Sequence, residues 1–406
     1  MTLTRRFDDS DYKADLLNLF KPGNGARPPL LAGRTAELAR LGQYLTGIQG
    51  KRDSDGHLLS QVPHDIILYG PRGNGKTCLM ERCRREAVRQ GIDALDLRPG
   101  QVGTLEKLAG QLLFNDDKAL WKLLKKGAPA SLRLGLPSLA EAEWRALPPA
   151  DKARLRADYL VPLLAVRCAA APLLVAVDEA HTLDPEAGRT LLNVSEQVRK
   201  QGLPFLLILA GTPNLEERLD RMDATFWSRA KKLGIGRLDE AATKTALADP
   251  LAGKGVTFDP PALDEVVEES QCYPYFIQLW GEVLCNALLE ARSDVVTPDI
   301  VAAARPEAHK ERDHYYGVRY NEFRKRGLIG AAVTTAEAFV RDQAHYDTLL
   351  ERLGGDSAAL DQLHELGYLW RQDGSQLCEP GIPSLMDYVR VEASRRPAPV
   401  GKPAAV

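Results

Sequence analysis

The 406-residue chain has few cysteines, and none stands in a metal-binding arrangement. No Cys-x-x-Cys pair or ligand-spaced cluster occurs among Cys78, Cys83, Cys168, Cys272, Cys285 and Cys378. This pattern argues against a zinc site and is typical of a reducing compartment. The chain also lacks any run of 18 apolar residues, and its first residues, MTLTRRFDDSDYKADLL, lack the apolar core of a signal peptide. We therefore expect a cytoplasmic protein that makes no membrane contact.

A strong excess of charge of either sign is absent as well. The 53 basic and 55 acidic side chains give a net charge of −2. A protein whose main role is to coat nucleic acid is usually clearly basic. Any contact with DNA is therefore expected to be a local patch.

Short apolar runs alternate with helical patterns between residues 31 and 238, which predicts an α/β fold with a parallel sheet. The expected strands are 65–69, 92–97, 173–178, 203–212 and, more weakly, 233–238. Helices are expected at 33–45, at 77–90, in an insertion over about 102–168, and after 178 through Arg199. The polar, proline-containing residues 1–30 are expected to form a loosely packed lead-in.

Helical patterns dominate from Asp239 onward. Helices expected at 239–248, 260–269, 274–292 and 297–305 form a lid over residues 239–306. A separate charged helix is expected at 307–326, followed by helices and a hairpin around Asp373–Gly374. This order is typical of a winged-helix-like C-terminal domain, predicted over 307–392, and residues 393–406 are expected to be a disordered tail.

The segment GPRGNGKT, residues 70–77, fits the phosphate-loop pattern GxxxxGK[ST] between an expected strand and an expected helix. Glycines let backbone N–H groups close around phosphate oxygens, and the helix N-terminus adds positive dipole. Lys76 is predicted to reach the β- and γ-phosphates of ATP as a catalytic residue, and the Thr77 hydroxyl to bind Mg²⁺. The predicted nucleotide-binding residues of this loop are Gly70, Pro71, Arg72, Gly73, Asn74, Gly75, Lys76, Thr77 and Cys78.

The stretch VDEAH, residues 177–181, ends another expected strand. Asp178 is predicted to hold Mg²⁺, and Glu179 to polarise the attacking water as general base. The alternative is that both only cap the next helix. His181 either relays the state of the γ-phosphate or is a polar loop residue. The letters D-E-A-H also name a helicase family, but a helicase needs two tandem ATPase folds, and here one predicted sheet is followed by helices.

Six segments together carry a resemblance to a known family. They are LLAGRTAELARL (30–41), GPRGNGKT, VAVDEAH, LILAGTPNL (207–215), FWSRAKKLGIGRL (226–238) and YPYFIQLWGEVLCNAL (273–288). In this order they resemble AAA+ ATPases of the initiator clade, which includes origin-recognition-complex-like proteins and related bacterial and archaeal ATPases. The resemblance covers roughly residues 30–290.

The resemblance implies further roles by position. Gly33 and Arg34 would line the adenine pocket. Thr212 or Asn214, at the tip of the fourth strand, would be the polar sensor that orients the lytic water. The alternative for the T-P-N segment is a simple turn.

Arg229 would lie at a subunit boundary as a catalytic finger, with Arg218 and Arg221 as competitors and an exposed arginine without a role as the alternative. The lid departs from the family pattern. Where members often carry an arginine, this chain has Cys272-Tyr273-Pro274-Tyr275. Because Tyr275 cannot supply a positive charge, we expect slow hydrolysis without a partner.

Three segments bear on DNA. In the insertion, Trp121 lies among Lys118, Lys122, Lys125, Lys126 and Arg133, which suits either nucleic-acid contact or a solvated helix. The expected recognition helix, 357–369, carries Asp361 and Glu365 but no lysine or arginine, so it would be repelled by phosphates. Basic residues instead gather at 310–326, interleaved with tyrosines.

These observations predict a magnesium-dependent ATPase switch that controls assembly with itself and with an effector protein. The alternatives are an initiator-like DNA-binding ATPase and an ATP-binding scaffold with little hydrolysis.

Overall fold

The computed structural model describes residues 7–23, 27–52, 58–59, 64–101, 105–114, 157–222 apart from 159, 163, 166 and 169, 229–339, 343–371 and 375–395. The chain divides into two compact units. The sheet unit comprises residues 34–69 and 79–234. The helical unit comprises residues up to 33, residues 70–78 and residues from 235 onward.

The helices with assigned bounds are, in chain order, α1 (Ser10–Leu17), α2 (Thr35–Gln49), α3 (Lys76–Arg89), α4 (Leu105–Phe114), α5 (Pro185–Lys200), α6 (Leu215–Asp220), α7 (Glu240–Ala252), α8 (Pro260–Ser270), α9 (Pro274–Ala291), α10 (Pro298–Lys325), α11 (Ile329–Ala338), α12 (Tyr346–Arg352), α13 (Ser357–Glu365) and α14 (Leu385–Arg395).

The strands are β1 (Lys51–Arg52), β2 (Leu58–Leu59), β3 (Ile66–Tyr69), β4 (Asp93–Leu97), β5 (Leu173–Val177), β6 (Phe205–Gly211), β7 (Lys231–Gly234), β8 (Thr257–Phe258), β9 (Val295–Val296), β10 (Ala344–His345), β11 (Leu369–Trp370) and β12 (Leu377–Pro380).

The sheet unit is built on five parallel strands in the order β4-β5-β6-β3-β7. Every residue of β3, β5 and β6 is buried, which explains why these strands are continuous apolar runs in the sequence. The outer strands β4 and β7 alternate exposed and buried positions. The predicted α/β fold with a parallel sheet is confirmed, although β7 begins two residues before the expected strand because Lys231 already pairs with β3.

The register brings the carboxyl ends of three strands to one edge of the sheet. Tyr69 of β3 pairs with Gly211 of β6, and Val177 of β5 pairs with Leu209 of β6. The segments that follow these ends are the phosphate loop, the VDEAH stretch and the T-P-N turn. Ligands of open α/β sheets bind beyond the carboxyl ends of the strands.

One hydrophobic cluster extends through the helical unit, from Leu16 of α1 to Val389 of α14. It includes the lid helices and the segment after them, so both share a core. In the C-terminal part, strands β10, β12 and β11 form an antiparallel sheet, and the elements follow in the predicted order of helices and hairpin. Assignment as a winged helix stays a prediction.

The prediction of separate helices at 297–305 and 307–326 is wrong, because α10 continues through Pro306. Thr297 caps this helix and Pro298 occupies its first turn. An interior proline removes one N–H bond and is unfavourable by roughly 3 kcal/mol in isolation. Here side chains on both sides of Pro306, from Ile300 to Phe323, are buried in the same cluster and keep the helix in one piece. The predicted boundary between residues 306 and 307 falls inside this helix.

The N-terminal lead-in is also more ordered than expected. Asp9 caps α1 by accepting the N–H groups of Asp11 and Tyr12 at 2.8 Å and 3.3 Å. Leu16 and Phe20 are fully buried, and the Phe20 ring occupies the space that a Cβ on Gly281 of α9 would need. The described residues 7–23 are therefore packed into the helical unit.

Some predictions concern residues outside the described ranges, including the lysine cluster around Trp121 and the hairpin tip at Asp373–Gly374. Residues 393–395, expected in the tail, belong to α14. No helix in the described part of the chain is long and apolar enough to cross a membrane.

Candidate nucleotide site

The phosphate loop leaves the sheet directly after Tyr69, and α3 begins at Lys76. Gly73 and Gly75 have φ angles of 81° and 87°, in the region that side chains disfavour. A Cβ on Gly70 would overlap the carbonyl oxygen of Ile235. The glycines thus permit a tight loop at a helix N-terminus, the arrangement that binds phosphate.

Lys76 is held inside this loop. Its Nζ donates to the carbonyl oxygens of Gly70 and Pro71 at 2.7 Å and 2.8 Å, and the residue is 7% exposed. The Nε of Arg72 is buried and has no hydrogen-bond partner among the described residues. A buried ammonium, an orphaned N–H and a glycine loop at a helix start fit a polyphosphate group.

A lid tyrosine contacts the phosphate loop. The Tyr273 hydroxyl donates to the carbonyl oxygen of Arg72 and lies 3.3 Å from the Tyr315 hydroxyl of α10. Burial, reinforced by Tyr315, raises the pKa of Tyr273 well above its usual value, which keeps the phenol protonated as a donor. Tyr275 stacks on the Tyr315 ring, with the two ring centroids 4.5 Å apart. The sequence assigned no role to Tyr273, although this residue begins the segment 273–288.

Asp178 and Glu179 follow β5 directly. Glu179 is the N-cap residue of a short 3-10 helix at Ala180–Thr182, but its side chain makes no capping hydrogen bond there. The longer helix α5 is capped by Asp184, whose Oδ1 accepts the N–H groups of Glu186 and Ala187 at 3.0 Å. The Glu179 carboxylate therefore caps neither of these two helices. Asp178 Oδ1 accepts the N–H of Glu179 at 2.9 Å.

Glu179 adopts an unusual backbone conformation, with φ 50° and ψ 35°. A non-glycine residue in this left-handed region is uncommon and often marks a functional position. Its side chain is 48% exposed, so the carboxylate remains accessible to solvent.

Asp96 on β4 is a further acidic residue of this region that sequence reasoning missed. Burial, and then repulsion by Asp178, raises the pKa of Asp96. The register pairs Asp96 with Ala176, two residues before Asp178. A single carboxylate inside a strand forms no sequence motif. The repulsion between Asp96 and Asp178 therefore becomes evident only from the pairing of β4 with β5.

The T-P-N turn after β6 forms a buried polar pair. Thr212 and Asn214 are 1% and 3% exposed, and the Thr212 hydroxyl donates to Asn214 Oδ1 at 2.6 Å. The backbone N–H of Thr212 donates to His181 Nδ1 at 3.4 Å. His181 Nε2 lies 3.4 Å from Glu179 Oε2. Both predicted sensor residues therefore connect to the Glu179 region through His181, a residue that the sequence left undecided.

The other predicted site residues lie in different surroundings. Gly33 has φ 66°, and a Cβ there would meet the Ala242 side chain at 2.6 Å. Arg34 is 7% exposed and pairs with Glu37 at 3.3 Å, and burial lowers the pKa of its guanidinium. A role in an adenine pocket stays a prediction for both.

The three finger candidates differ in exposure. Arg221 and Arg229 are exposed, whereas Arg218 is half-buried at the end of α6. A role as a finger stays a prediction for all three.

Among the described residues, no group of three or more His, Cys, Asp or Glu side chains is arranged to hold a metal ion. Magnesium in nucleotide sites takes one or two protein ligands and completes its shell with phosphates and waters. The hydroxyl of Thr77 and the carboxylate of Asp178 are oxygen donors of the kind that Mg²⁺ prefers.

A family model described as an AAA domain matches residues 65–219. Residues 65–219 are therefore similar to AAA domains. The match begins at the strand before the phosphate loop and ends in α6, so it includes the loop, the two carboxylates and the T-P-N turn. A search of curated proteins found no relative of this chain.

Three solved structures that are similar to this chain are the following. The Walker-type ATPase PABY2304 of Pyrococcus abyssi is 14% identical, with 92% of this chain and 99% of that chain covered and a TM-score of 0.55. Aeropyrum pernix Orc1 in complex with DNA is 16% identical, with 90% and 94% covered and a TM-score of 0.45. The Thermotoga maritima RuvB Holliday junction branch migration motor is 15% identical, with 90% and 99% covered and a TM-score of 0.47. The similarity to PABY2304 supports the α/β fold of this chain.

Proposed function

We propose that the chain is an ATP-binding and ATP-hydrolysing switch whose nucleotide state controls assembly with itself and with a partner protein. The observation that carries the proposal is the state of Glu179, whose carboxylate is exposed and makes no capping hydrogen bond, and whose backbone is left-handed. A carboxylate in that state at the carboxyl edge of an AAA sheet is suited to accept a proton from water.

The chain's residues divide the work as follows. ATP would supply the phosphoryl group that is transferred to water, and Mg²⁺ would neutralise phosphate charge. Lys76 would exchange its bonds to the loop carbonyls for bonds to phosphate oxygens, and Thr77 and Asp178 are the residues that would hold the metal ion. Glu179 orients and deprotonates the water, and the Thr212–Asn214 pair contributes a polar contact to it.

Assembly in the proposed switch depends on residues outside this arrangement. Exposed Arg229 is the finger candidate that would complete a neighbour's site, as the resemblance to AAA+ ATPases implies. Because an arginine supplied in trans stabilises transition-state charge, hydrolysis by the isolated chain is expected to be slow. The partner is a protein rather than DNA in this proposal.

Charge pairing on α10 supports the protein partner over DNA. Four of the basic side chains that the sequence offered as a DNA contact form ion pairs with carboxylates, namely Lys310 with Glu307, Arg312 with Glu269, Arg319 with Glu322 and Arg326 with Glu365. The interleaved Tyr316 and Tyr320 are 2% and 5% exposed, and they are not available for stacking on bases. An initiator-like role would need other residues.

Phosphate release by the wild type, Glu179→Gln and Lys76→Ala tests the proposal. Glu179→Gln is expected to lower the rate by about 100-fold or more, because it removes the general base, and to keep the thermal stabilisation produced by ATP. Lys76→Ala is expected to lose both phosphate release and the thermal stabilisation by ATP, because each of them requires ATP binding.

Glu196→Gln and Lys200→Ala are matched controls, since these residues form a surface ion pair at 2.9 Å on α5. Both controls are expected to behave as the wild type. Equal rates for wild type and Glu179→Gln would remove the catalytic role. Light scattering of Glu179→Gln with ATP and with ADP tests the switch. Identical particle masses with the two nucleotides would contradict a switch in assembly.

A further inference from the structure

His181 connects two parts of the candidate site that come from different strands. It is 7% exposed and lies in the short turn after Glu179. One ring nitrogen contacts the Thr212 N–H and the other approaches the Glu179 carboxylate, each at 3.4 Å. A Cβ on Gly211 would lie 3.3 Å from Nδ1, so the glycine leaves room for the ring at the end of β6.

The chemical nature of Thr212 N–H and of the Glu179 carboxylate decides which His181 ring nitrogen accepts a hydrogen bond and which donates one. A backbone N–H only donates, so Nδ1 accepts from Thr212 and carries no proton. The neutral imidazole then has its proton on Nε2, which is directed at the Glu179 carboxylate. A hydrogen bond to one ring nitrogen commonly fixes what the other nitrogen does.

The contacts form a continuous chain between the ends of β5 and β6. Asn214 accepts from the Thr212 hydroxyl, Thr212 donates to His181 through its backbone, and His181 faces Glu179. We propose that His181 is a positioning residue that orients the Glu179 carboxylate and couples it to the Thr212–Asn214 pair. The proposal rests on the proposed hydrolytic function, since positioning matters only if Glu179 acts on water.

Two conservative substitutions, His181→Asn and His181→Gln, separate the two contacts. In the first variant, the introduced amide oxygen sits near the position of Nδ1 and keeps an acceptor for Thr212, but the side chain is too short to reach Glu179. In the second variant, the longer side chain brings its amide nitrogen to the position of Nε2 and keeps a donor for Glu179, but it offers Thr212 no acceptor.

We expect His181→Asn to lower kcat by about 10- to 100-fold, the usual effect of a misplaced catalytic group, while KM and ATP-induced stabilisation stay unchanged. His181→Gln is expected to recover part of that loss. His309→Asn is the matched control, because His309 makes a histidine–glutamate contact with Glu269 at 2.9 Å in the helical unit. It is expected to keep the wild-type kcat.

Nitrogen-15 NMR of the nucleotide-free protein supplies a readout that does not need turnover. The expected result is a His181 ring protonated on Nε2 alone, with an Nε2 signal that shifts in Glu179→Gln. A proton on Nδ1, or an unchanged kcat in His181→Asn, would overturn the proposal. If the wild type shows no hydrolysis, the proposed function fails, whereas the NMR result still decides whether His181 makes these contacts.

Discussion

At Gly73 the phosphate loop and the lid approach each other so closely that only a residue without a side chain fits. A Cβ there would overlap the Tyr273 hydroxyl and lie 2.8 Å from the ring carbon that carries it. Tyr273 is fully buried and has no room to retreat. The loop therefore depends on glycine at this position for packing as well as for its backbone angle.

Gly73→Ala is expected to lower stability by about 2–5 kcal/mol, since a left-handed alanine costs about 1–2 kcal/mol and overpacking a further 1–3 kcal/mol. Urea unfolding measures the change. Gly91→Ala is the matched control, because Gly91 also has a positive φ of 75° but open space around its Cβ. Equal losses in the two variants would show that Tyr273 does not constrain the loop.

Motifs predicted the residues whose chemistry is tied to chain spacing, namely Lys76, Thr77, Asp178 and Glu179. They did not predict Tyr273, which reaches the phosphate loop from a segment 201 positions away. His181 was visible in the sequence, but its partner Thr212 is 31 positions away, so no local pattern tells a connecting histidine from a polar loop residue.

Among the elements, α13 carries an ionisable group in an unfavourable environment. The Nε2 of His364 is buried and has no hydrogen-bond partner within the described ranges. Burial, and then the positive charge of Arg371, lowers the pKa of His364 to about 4. The folded chain therefore binds this proton only at a lower pH than the unfolded chain does.

The sign of the resulting pH dependence follows from that order. As pH falls below the ordinary histidine pKa of 6.5, His364 is protonated first in the unfolded chain. The contribution of His364 to stability is therefore fully present above pH 6.5 and is lost between pH 6.5 and about 4. His364→Gln is expected to reduce the loss between pH 7 and pH 5 by about 2 kcal/mol. Urea unfolding of both proteins at the two pH values measures this difference, and parallel losses would contradict it.

Elements were predicted best where packing is local and repetitive. The buried strands β3, β5 and β6 appear as unbroken apolar runs, and their bounds differ from the expected ones by no more than two residues. The two-residue strands β8 and β9 were missed because a pattern needs more residues than they have. The division of α10 was wrong because Pro306 suggests a break that tertiary packing overrides.

At the scale of the whole molecule, the described N-terminal segment is part of a folded core. Leu16 contributes to the cluster that includes the lid helices, while its neighbour Leu17 is 47% exposed. Sequence reasoning missed this role, because it depends on contacts with α9, more than 250 positions away, such as that of Lys21 N–H with Gln278.

Leu16→Ala is expected to destabilise the protein by about 2–5 kcal/mol through lost burial and a cavity. Leu17→Ala removes the same atoms from a largely exposed position and is expected to change stability by less than about 0.5 kcal/mol. Thermal unfolding of both variants measures the contrast. Similar melting temperatures for the two would show that residues 7–23 are not part of the core.

Helix α10 links the lid to the C-terminal part of the helical unit. Its 28 residues extend about 40 Å at 1.5 Å per residue. Near the start of the helix, Arg305 pairs with Glu269 of the lid, and further along Tyr315 contacts Tyr273. Near the end of the helix, the Phe323 ring packs against the Tyr368 ring with centroids 5.0 Å apart. A stiff helix held at these three points sets the spacing between the lid, the Tyr273 contact and the C-terminal part of the helical unit. Tyr315 lies ten residues before the end of α10, so about 15 Å of rigid helix separates the phosphate-loop contact of Tyr273 from that end.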